Sequence, residues 1–248
     1  FHRIIIIMLL ATDLDGTFLG GTPEDREQLY TLLHRNKDIQ LVFVTGRGIR
    51  SVLKLLEDTL LPRPEYIICD VGATITHLPT LAAVEPLQSH IASRWPGDQV
   101  RETLKTVKGL LHQEVQQQYR CSYYYDEGTD VESAREVAAS LECDLVLSAG
   151  KYLDILPRGI NKGFTLQQLL EILALPHRKI FVAGDSMNDY SMYETGFKGV
   201  VVGNPEPELA ARTAAMPHVL QAQRAGAGGI LEAMAFFPEF NTYLQKEG

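Results

Sequence analysis

Short apolar, β-branched segments alternate with helix-like segments at the beginning of the chain, and this alternation constrains the fold most. The apolar segments are Ile4–Thr12, Ile39–Thr45 and Tyr66–Asp70, and the helix-like segments between them are Pro23–Asn36 and Ile49–Leu60. A continuous apolar strand is typical of a parallel sheet that is covered on both faces. Strand–helix–strand order requires right-handed crossovers. The sequence therefore predicts an α/β fold with a Rossmann-like parallel sheet core and helices on both faces.

The alternation is interrupted in the middle of the chain. Three prolines, Pro79, Pro86 and Pro96, mark the interruption as a crossing point rather than a core element. The block that follows predicts helices at Arg101–His112 and Val131–Leu141 and strands at Gln118–Tyr125, Cys143–Ser148 and Tyr152–Leu156. The α/β pattern then resumes with helices at Lys162–Leu173 and Asn188–Tyr193 and strands at Lys179–Ala183 and Gly199–Val202. We expect a core made of residues 1–79 and 158–248, and an inserted α+β domain at residues 80–157.

Charge and cysteine usage exclude several classes of protein. The chain has 31 acidic and 23 basic residues, a net charge of −8, which disfavours nucleic-acid binding. The longest apolar run, Ile4–Ala11, is too short to span a bilayer, and Phe1–Met8 lacks the small-residue cleavage site of a signal peptide. Three cysteines form no CxxC pair, which favours a reducing compartment. We expect a cytoplasmic protein that binds neither membranes nor nucleic acid.

Two acidic residues follow the first predicted strand, in the run Asp13–Thr17, which reads Asp-Leu-Asp-Gly-Thr. Ligands of open α/β sheets bind at the carboxyl ends of the strands. Two carboxylates buried there require a cation or an altered protonation state, and Mg²⁺ is the ion that such oxygen ligands favour. The structural alternative is an Asp-Gly turn in which Asp15 only caps a helix. The preceding apolar strand favours the catalytic interpretation.

Two further motifs are weaker when each is taken alone. Thr45-Gly46-Arg47 follows the second apolar strand, where a hydroxyl and backbone N–H groups can receive phosphate oxygens, although Thr-Gly is also a common turn. Asn161-Lys162-Gly163 opens a helix. A lysine there is usually a solvated side chain, but a phosphoryl site in an acidic chain needs a positive charge.

The fourth motif, Gly184–Asp189, reads Gly-Asp-Ser-Met-Asn-Asp and follows the strand Lys179–Ala183. Two carboxylates and an amide at a strand end can supply metal ligands and a donor to phosphate, whereas the structural alternative is a capped, solvated turn. A GxGG string at Ala225–Ile230 does not follow a convincing strand, so no dinucleotide site is predicted.

Together, the four motifs resemble those of the haloacid-dehalogenase-like phosphohydrolases, and the insertion is similar to the type 2 (C2) cap of their sugar-phosphatase branch. Several segments resemble the sucrose-phosphate phosphatase family in particular, and the likeness extends from Met8 to Phe237. These segments are Arg120–Tyr123, Ser148–Lys151, Asp154–Pro157, Gly203–Leu209 and Ala225–Ala233. Departures from the family pattern occur at Gly48, Asp70, Ala73 and Arg120, all expected near the sugar.

The resemblance implies a role for each motif residue. Asp13 would attack phosphorus to form an aspartyl-phosphate, and Asp15 would act as acid and then base. Mg²⁺ would be held by Asp13, Asp15 (through its backbone carbonyl), Asp185 and Asp189, the last of which could alternatively orient Lys162. The phosphoryl oxygens would be surrounded by Thr45, Gly46, Lys162 and Asn188.

The cap would select the sugar, and its strand Tyr119–Tyr125 alternates faces. Tyr119, Tyr123 and Tyr125 share one face, and Ser122 and Tyr124 the other. We expect sugar contacts from Arg47, Ser122, Tyr123, Lys151 and Asp154, with Ser122 and Lys151 favoured over any tyrosine, because tyrosine-rich strands more often pack within a sheet.

The resemblance implies a Mg²⁺-dependent phosphatase of a small-molecule sugar phosphate, with sucrose-6-phosphate as the favoured substrate. Another disaccharide phosphate, such as mannosylfructose-phosphate, or a general hexose-phosphate activity is the alternative within enzymes. From another class, the chain could be a non-catalytic sugar-phosphate-binding partner of a synthase, although a pure binding module has no need of Asp15. A monomer is expected, and association with a sugar-phosphate synthase is left open.

Overall fold

The computed structural model describes residues 8–115 and 117–245, which form a large sheet of eight strands and a small sheet of four. Residues Ile4–Ile7 of the first predicted strand and the segment Phe1–Met8, apart from Met8 itself, lie outside the described residues.

Six parallel strands make up most of the large sheet, and two antiparallel strands extend one edge. The spatial order is β12-β11-β10-β1-β2-β3-β4-β5. The pairs β3–β4 and β4–β5 are antiparallel and the others parallel. The bounds are β1 (Met8–Thr12), β2 (Ile39–Val44), β3 (Tyr66–Cys69), β4 (Thr74–His77), β5 (Ala82–Ala83), β10 (Ile180–Gly184), β11 (Lys198–Gly203) and β12 (Val219–Ala225).

Helices cover both faces of this sheet, as predicted. Alternate residues of β1 enter different cores, with Leu10 on the face of the first helix group and Leu9 on the face of the second. The first group is α1 (Pro23–Arg35), α2 (Ile49–Leu55), α9 (Gly226–Phe236) and α10 (Pro238–Asn241). The second group is α3 (Leu87–Ser93), α6 (Lys162–Leu173), α7 (Tyr190–Glu194) and α8 (Pro207–Thr213). The Rossmann-like α/β core is therefore confirmed.

The small sheet is antiparallel, in the order β6-β7-β9-β8. Its strands are β6 (Leu111–His112), β7 (Cys121–Tyr124), β8 (Cys143–Ser148) and β9 (Tyr152–Pro157). One face packs, through Tyr123 and Leu153 among others, in a core to which α4 (Gln99–Leu104) and α5 (Val131–Ser140) contribute Leu104 and Ala134. The opposite face carries Tyr124, Tyr152 and Asp154, which line a cavity between the two sheets.

Some predicted elements were wrong. The predicted helix Arg101–His112 ends near Leu104, and its last two residues form strand β6. Sequence reasoning also missed β12, which leads directly into α9 at the GxGG string. A strand therefore does precede this string. The prediction missed it because the polar residues in β12 obscure the strand pattern. The glycines instead allow close packing of the helix, since a Cβ at Gly229 would meet the side chain of Val202 at 2.9 Å.

The division into residues 1–79, 80–157 and 158–248 stays a prediction. The sheet pairing nevertheless places Ala82 and Ala83 of the predicted insertion in the large sheet. Leu87 and Ile91 of α3 also pack in the core of the large sheet. Of the prolines that suggested a crossing point, Pro79 lies between β4 and the edge strand β5, and Pro86 and Pro96 flank α3. A short edge strand tolerates a nearby proline.

Two expectations concern the environment of the chain. Among residues 8–115 and 117–245, no helix is both long and apolar enough to span a bilayer. Cys69, Cys121 and Cys143 are all buried as free thiols.

Candidate active site

Three aspartates meet at the carboxyl edge of the large sheet. Asp13 follows β1, and Asp185 follows the neighbouring strand β10. Asp189 lies four residues after Asp185. One ligand oxygen from each of the three aspartates lies within 4.8 Å of the others. The strand order explains this meeting, because β1 and β10 are adjacent parallel strands and their carboxyl ends coincide.

A glycine permits this close approach. Gly16 has a φ of +81°, and a Cβ there would collide with the carboxylate of Asp185. Thr17 Oγ1 donates a hydrogen bond of 2.9 Å to Asp185 Oδ1. The Asp-Gly-Thr portion of the first motif therefore positions a carboxylate of the fourth motif.

Lys162 joins the aspartates from the first residue of α6. Its Nζ donates to Asp13 Oδ1 at 2.7 Å and to Asp189 Oδ1 at 2.6 Å, and its side chain is fully buried. Asn161 caps the helix by accepting a hydrogen bond of 2.8 Å from the Phe164 N–H, which fixes where the lysine emerges. The lysine is therefore not a solvated side chain.

Burial perturbs the carboxylates strongly. Burial raises the pKa of Asp13 well above its usual range, while the positive charge of Lys162 opposes the change. Burial, together with the nearby charge of Asp189, raises the pKa of Asp185 to about 7. The cluster sets three carboxylates, those of Asp13, Asp185 and Asp189, against the single positive charge of Lys162. The donor set therefore fits Mg²⁺, a hard divalent cation.

The three aspartates are not equivalent. Both oxygens of Asp189 already accept hydrogen bonds, Oδ1 from Lys162 and Oδ2 from the N–H groups of Asp185 and Ser186, both at 3.0 Å. Asp13 and Asp185 are thus the carboxylates best placed to hold the ion. The hydrogen bonds of Asp189 link Lys162 to the backbone of the loop. Its predicted role, in holding the metal or in orienting Lys162, stays a prediction.

Asp15 stands apart from the carboxylate cluster. Its side chain is 59% exposed and forms a two-point ion pair with Arg47, with Arg47 Nε 2.7 Å from Oδ2 and Nη2 2.6 Å from Oδ1. The hydrogen bond to Asp15 raises the pKa of Arg47. The side chain of Asp15 therefore faces the cavity rather than the buried aspartates.

The phosphate-binding turn that the sequence predicts lies directly after β2. The Thr45 hydroxyl is buried and accepts a hydrogen bond of 3.1 Å from the Arg47 N–H. The amide of Asn188 lies next to Gly46, with its Nδ2 3.8 Å from the position that a Cβ would take, which is an ordinary contact distance. Gly46, Arg47 and Asn188 all line the cavity, and Thr45 lies behind them.

The cavity has a volume of about 740 Å³ and lies between the aspartates and the small sheet. Its lining is rich in hydroxyl, amide and aromatic groups. The uncharged polar and aromatic lining residues are Ser51, Thr74, Gln113, Gln117, Gln118, Tyr124, Ser148, Tyr152, Ser186 and Asn188. Such a lining suits a ligand with many hydroxyl groups.

Three predicted sugar contacts do not line this cavity. Tyr123 is buried in the core of the small sheet, where its hydroxyl accepts a hydrogen bond from Cys121. Ser122 is buried, and its hydroxyl donates to Asp154. Lys151 is exposed, with Nζ 4.9 Å from the centre of the Tyr152 ring. Strand alternation explains the error for Tyr123, because it faces away from the cavity.

Asp154, by contrast, lines the cavity as predicted, and sequence reasoning missed some of its neighbours. Arg120 Nη1 donates to the backbone carbonyl of Gly46 at 2.8 Å and joins Asp70 and Asp154 in ion pairs. Glu206 was also missed as a link, although its carboxylate accepts from Met187 N–H and Ala149 N–H, at 2.8 and 3.1 Å. The signals in the sequence were the unusual residues at positions 70 and 120 and the family-like segment Gly203–Leu209, which contains Glu206.

The parallel sheet is covered by helices on both faces, carries the aspartate–lysine cluster at its carboxyl edge and has the small sheet above that edge. These features define a phosphoric monoester hydrolase of the haloacid-dehalogenase-like fold with a cap. The sucrose-6F-phosphate phosphohydrolase family model matches residues 7–238. The chain belongs to that family.

Three relatives illustrate the range of the similarity. The chain is 47% identical to a glucosylglycerol-phosphate synthase of Pseudomonas anguilliseptica over 97% of its own length, but spans only 32% of that relative. It is 30% identical to a mannosylfructose-phosphate phosphatase of Agrobacterium fabrum, covering 92% of this chain and 96% of the relative. The solved sucrose-phosphatase of Synechocystis, in complex with sucrose and phosphate, is 29% identical with a TM-score of 0.84, covering 92% of this chain and 97% of that one.

Proposed function

We propose that the chain is a Mg²⁺-dependent phosphatase that removes phosphate from a phosphorylated glycoside through an aspartyl-phosphate. The observation that carries the proposal is the contact between Lys162 Nζ and Asp13 Oδ1, 2.7 Å, in a buried site at the carboxyl edge of the sheet. The lysine engages one oxygen and leaves Asp13 Oδ2 to attack phosphorus.

The chain's own residues divide the two steps between them. As Asp13 attacks in line, Asp15 gives a proton to the leaving alcohol. Asp15 then takes a proton from the water that hydrolyses the acyl phosphate. Thr45, the Gly46 N–H, Lys162 and Asn188 neutralise the charge on the phosphoryl oxygens. Asp13 and Asp185 would hold Mg²⁺, which when bound shields the negative charges and positions the phosphoryl group.

Two substrates are the leading candidates. Sucrose-6-phosphate follows from the family resemblance and from a lining suited to a disaccharide. Glucosylglycerol-phosphate is favoured by the higher identity, 47%, with a protein named for its synthesis. We favour glucosylglycerol-phosphate for this reason. Because this chain matches 32% of the length of that synthase, we also propose that it associates with a sugar-phosphate synthase. The cysteine usage favours the cytosol as the place where it acts.

Phosphate release across a panel tests the proposal. The panel contains glucosylglycerol-phosphate, sucrose-6-phosphate, mannosylfructose-phosphate and glucose-6-phosphate, each with and without Mg²⁺. A preference of about 10²-fold in kcat/KM identifies the substrate, since it corresponds to about 3 kcal/mol of transition-state discrimination. Equal rates on all members would indicate a general sugar phosphatase. Binding of a sugar phosphate without any release would contradict the enzymatic proposal and favour a binding partner of a synthase.

A further inference from the structure

A buried cluster of three charged side chains lies where the small sheet meets the large one. It consists of Asp70 in the turn after β3, Arg120 just before β7, and Asp154 on β9. Arg120 Nη2 lies 3.1 Å from Asp70 Oδ1, and Arg120 Nη1 lies 3.2 Å from Asp154 Oδ1. No side chain of this Asp70–Arg120–Asp154 cluster is more than 7% exposed, and all three residues line the cavity.

The cluster is fixed to the phosphate-binding turn. Arg120 donates to the Gly46 carbonyl, and the Asp70 N–H donates to the Arg47 carbonyl at 3.0 Å. The backbone at Asp70 and Val71 is left-handed, with φ of 53° and 57°, a conformation that side-chain-bearing residues adopt only at a cost. The turn therefore holds a carboxylate at a set position beside the phosphate site.

The charges of the cluster do not cancel. With both carboxylates ionised, the cluster carries a net charge of −1: burial raises the pKa of Asp70, whereas the charge of Arg120 and the hydrogen bond from Thr74 lower it. Burial also limits the screening of this charge by salt. The guanidinium is engaged by both carboxylates and by a backbone carbonyl. Among the described residues that line the cavity, the other basic ones are Arg47, which is paired with Asp15, and Arg50, which is exposed to solvent.

We propose that the Asp70–Arg120–Asp154 cluster selects an uncharged, hydroxyl-bearing leaving group and rejects one that carries a carboxylate or a second phosphate. Hydroxyl groups donate hydrogen bonds to carboxylates, whereas an anion beside the cluster is repelled. This selection rests on the proposed phosphatase function and narrows its substrates to neutral polyol and glycoside phosphates.

A matched pair of phosphate esters tests the selection. Sorbitol 6-phosphate and 6-phosphogluconate have the same open carbon chain. At C1 the first carries a hydroxymethyl group and the second a carboxylate. We expect kcat/KM to favour sorbitol 6-phosphate by about tenfold or more. In Asp70→Asn the preference falls about five- to tenfold, because one negative charge is lost. Asp154→Asn gives a second, independent removal of charge.

Glu132→Gln is the matched control. It removes a charge from an exposed pair on α5, where Glu132 lies 3.5 Å from Arg135 and away from the cavity lining. The preference should be unchanged in this variant. Equal hydrolysis of the two esters by the unaltered protein, or an unchanged preference in both aspartate variants, would overturn the selection.

Failure of the proposed phosphatase function is distinguishable from failure of the selection. It would show as no release from p-nitrophenyl phosphate or from any sugar phosphate. Calorimetric binding of the same two esters would then still measure the preference and decide whether the cluster selects by charge.

Discussion

Arg47 donates a hydrogen bond to each carboxylate oxygen of Asp15, at 2.7 Å from Nε and 2.6 Å from Nη2. Both oxygens of Asp15 accept hydrogen bonds from Arg47, so Asp15 has to leave Arg47 before it can donate a proton to a leaving group. The Asp15 side chain is 59% exposed, and an exposed ion pair contributes only about 0–1 kcal/mol. Breaking this ion pair therefore costs little free energy, and the pair holds the proposed acid–base residue beside the proposed phosphate site.

Asp15→Asn should separate the two chemical steps. With p-nitrophenyl phosphate, whose leaving group needs no proton, attack by Asp13 proceeds but no base activates water. Stopped-flow measurement should show a burst of about one nitrophenolate per protein, followed by turnover slowed about 10²-fold or more. Asp98→Asn, in an exposed pair with Arg101, is the control and should show ordinary steady-state kinetics. Fast turnover without a burst would remove Asp15 from the second step.

Asp13→Asn should abolish turnover while the fold is retained. The amide keeps the size of the side chain but is no longer a nucleophile. We expect phosphate release to fall at least about 10³-fold, with unchanged circular dichroism. Release at the normal rate would show that another group attacks phosphorus.

Lys162→Met should destabilise the metal-free protein, because Asp13 and Asp189 lose their buried counter-charge. Urea unfolding should show a loss of about 3–5 kcal/mol in the free energy of unfolding. Adding Asp189→Asn to this variant should restore at least about 1 kcal/mol, since the two residues act through one contact. Lys105→Met, in an exposed pair with Glu102, should stay within about 0.5 kcal/mol of the parent. A loss no larger than that of Lys105→Met would contradict the assignment.

Stabilisation by Mg²⁺ should depend on pH through Asp185. Its pKa in the folded protein is about 7, against an ordinary 3.8, so the folded chain binds a proton that the unfolded chain has lost. The metal-free protein therefore loses stability as the pH rises toward about 7, and the raised pKa of Asp13 acts in the same direction.

Because Mg²⁺ binds the ionised carboxylates, its stabilising effect should be greater above that pH. We expect saturating Mg²⁺ to raise Tm by about 3 °C more at pH ~8 than at pH ~6. Asp185→Asn should reduce the difference, leaving the part that Asp13 contributes. A shift independent of pH in the unaltered protein would place the ion elsewhere.

The core fold, and the polar residues that meet at its carboxyl edge, could be predicted from the sequence for a common physical reason. Buried strands have continuous apolar runs, and polar residues at their ends stand out, as Asp13 and Asp185 do. Strand β12 escaped because its polar residues hide the pattern. Its burial is only partial along most of its length.

The sugar side was less predictable because it depends on contacts between distant segments. Strand alternation predicts that Tyr123 and Ser122 lie on opposite faces of the strand. It does not predict which of the two faces meets the cavity. Asp70 and Arg120 were noted as unusual residues, yet their pairing depends on how the two sheets approach each other. No local spacing encodes that approach.

The position of β1 between β2 and β10 also governs the order of events during synthesis. Asp13 emerges early from the ribosome, but Lys162, 149 residues later, and strand β10 emerge after the whole small sheet. One edge of β1 therefore stays bare while β7, β8 and β9 pair with close neighbours in sequence. Pulse-labelled hydrogen exchange should detect protection in β8 and β9 before β1. The small sheet is thus complete in the nascent chain before Lys162, Asp185 and Asp189 have been added.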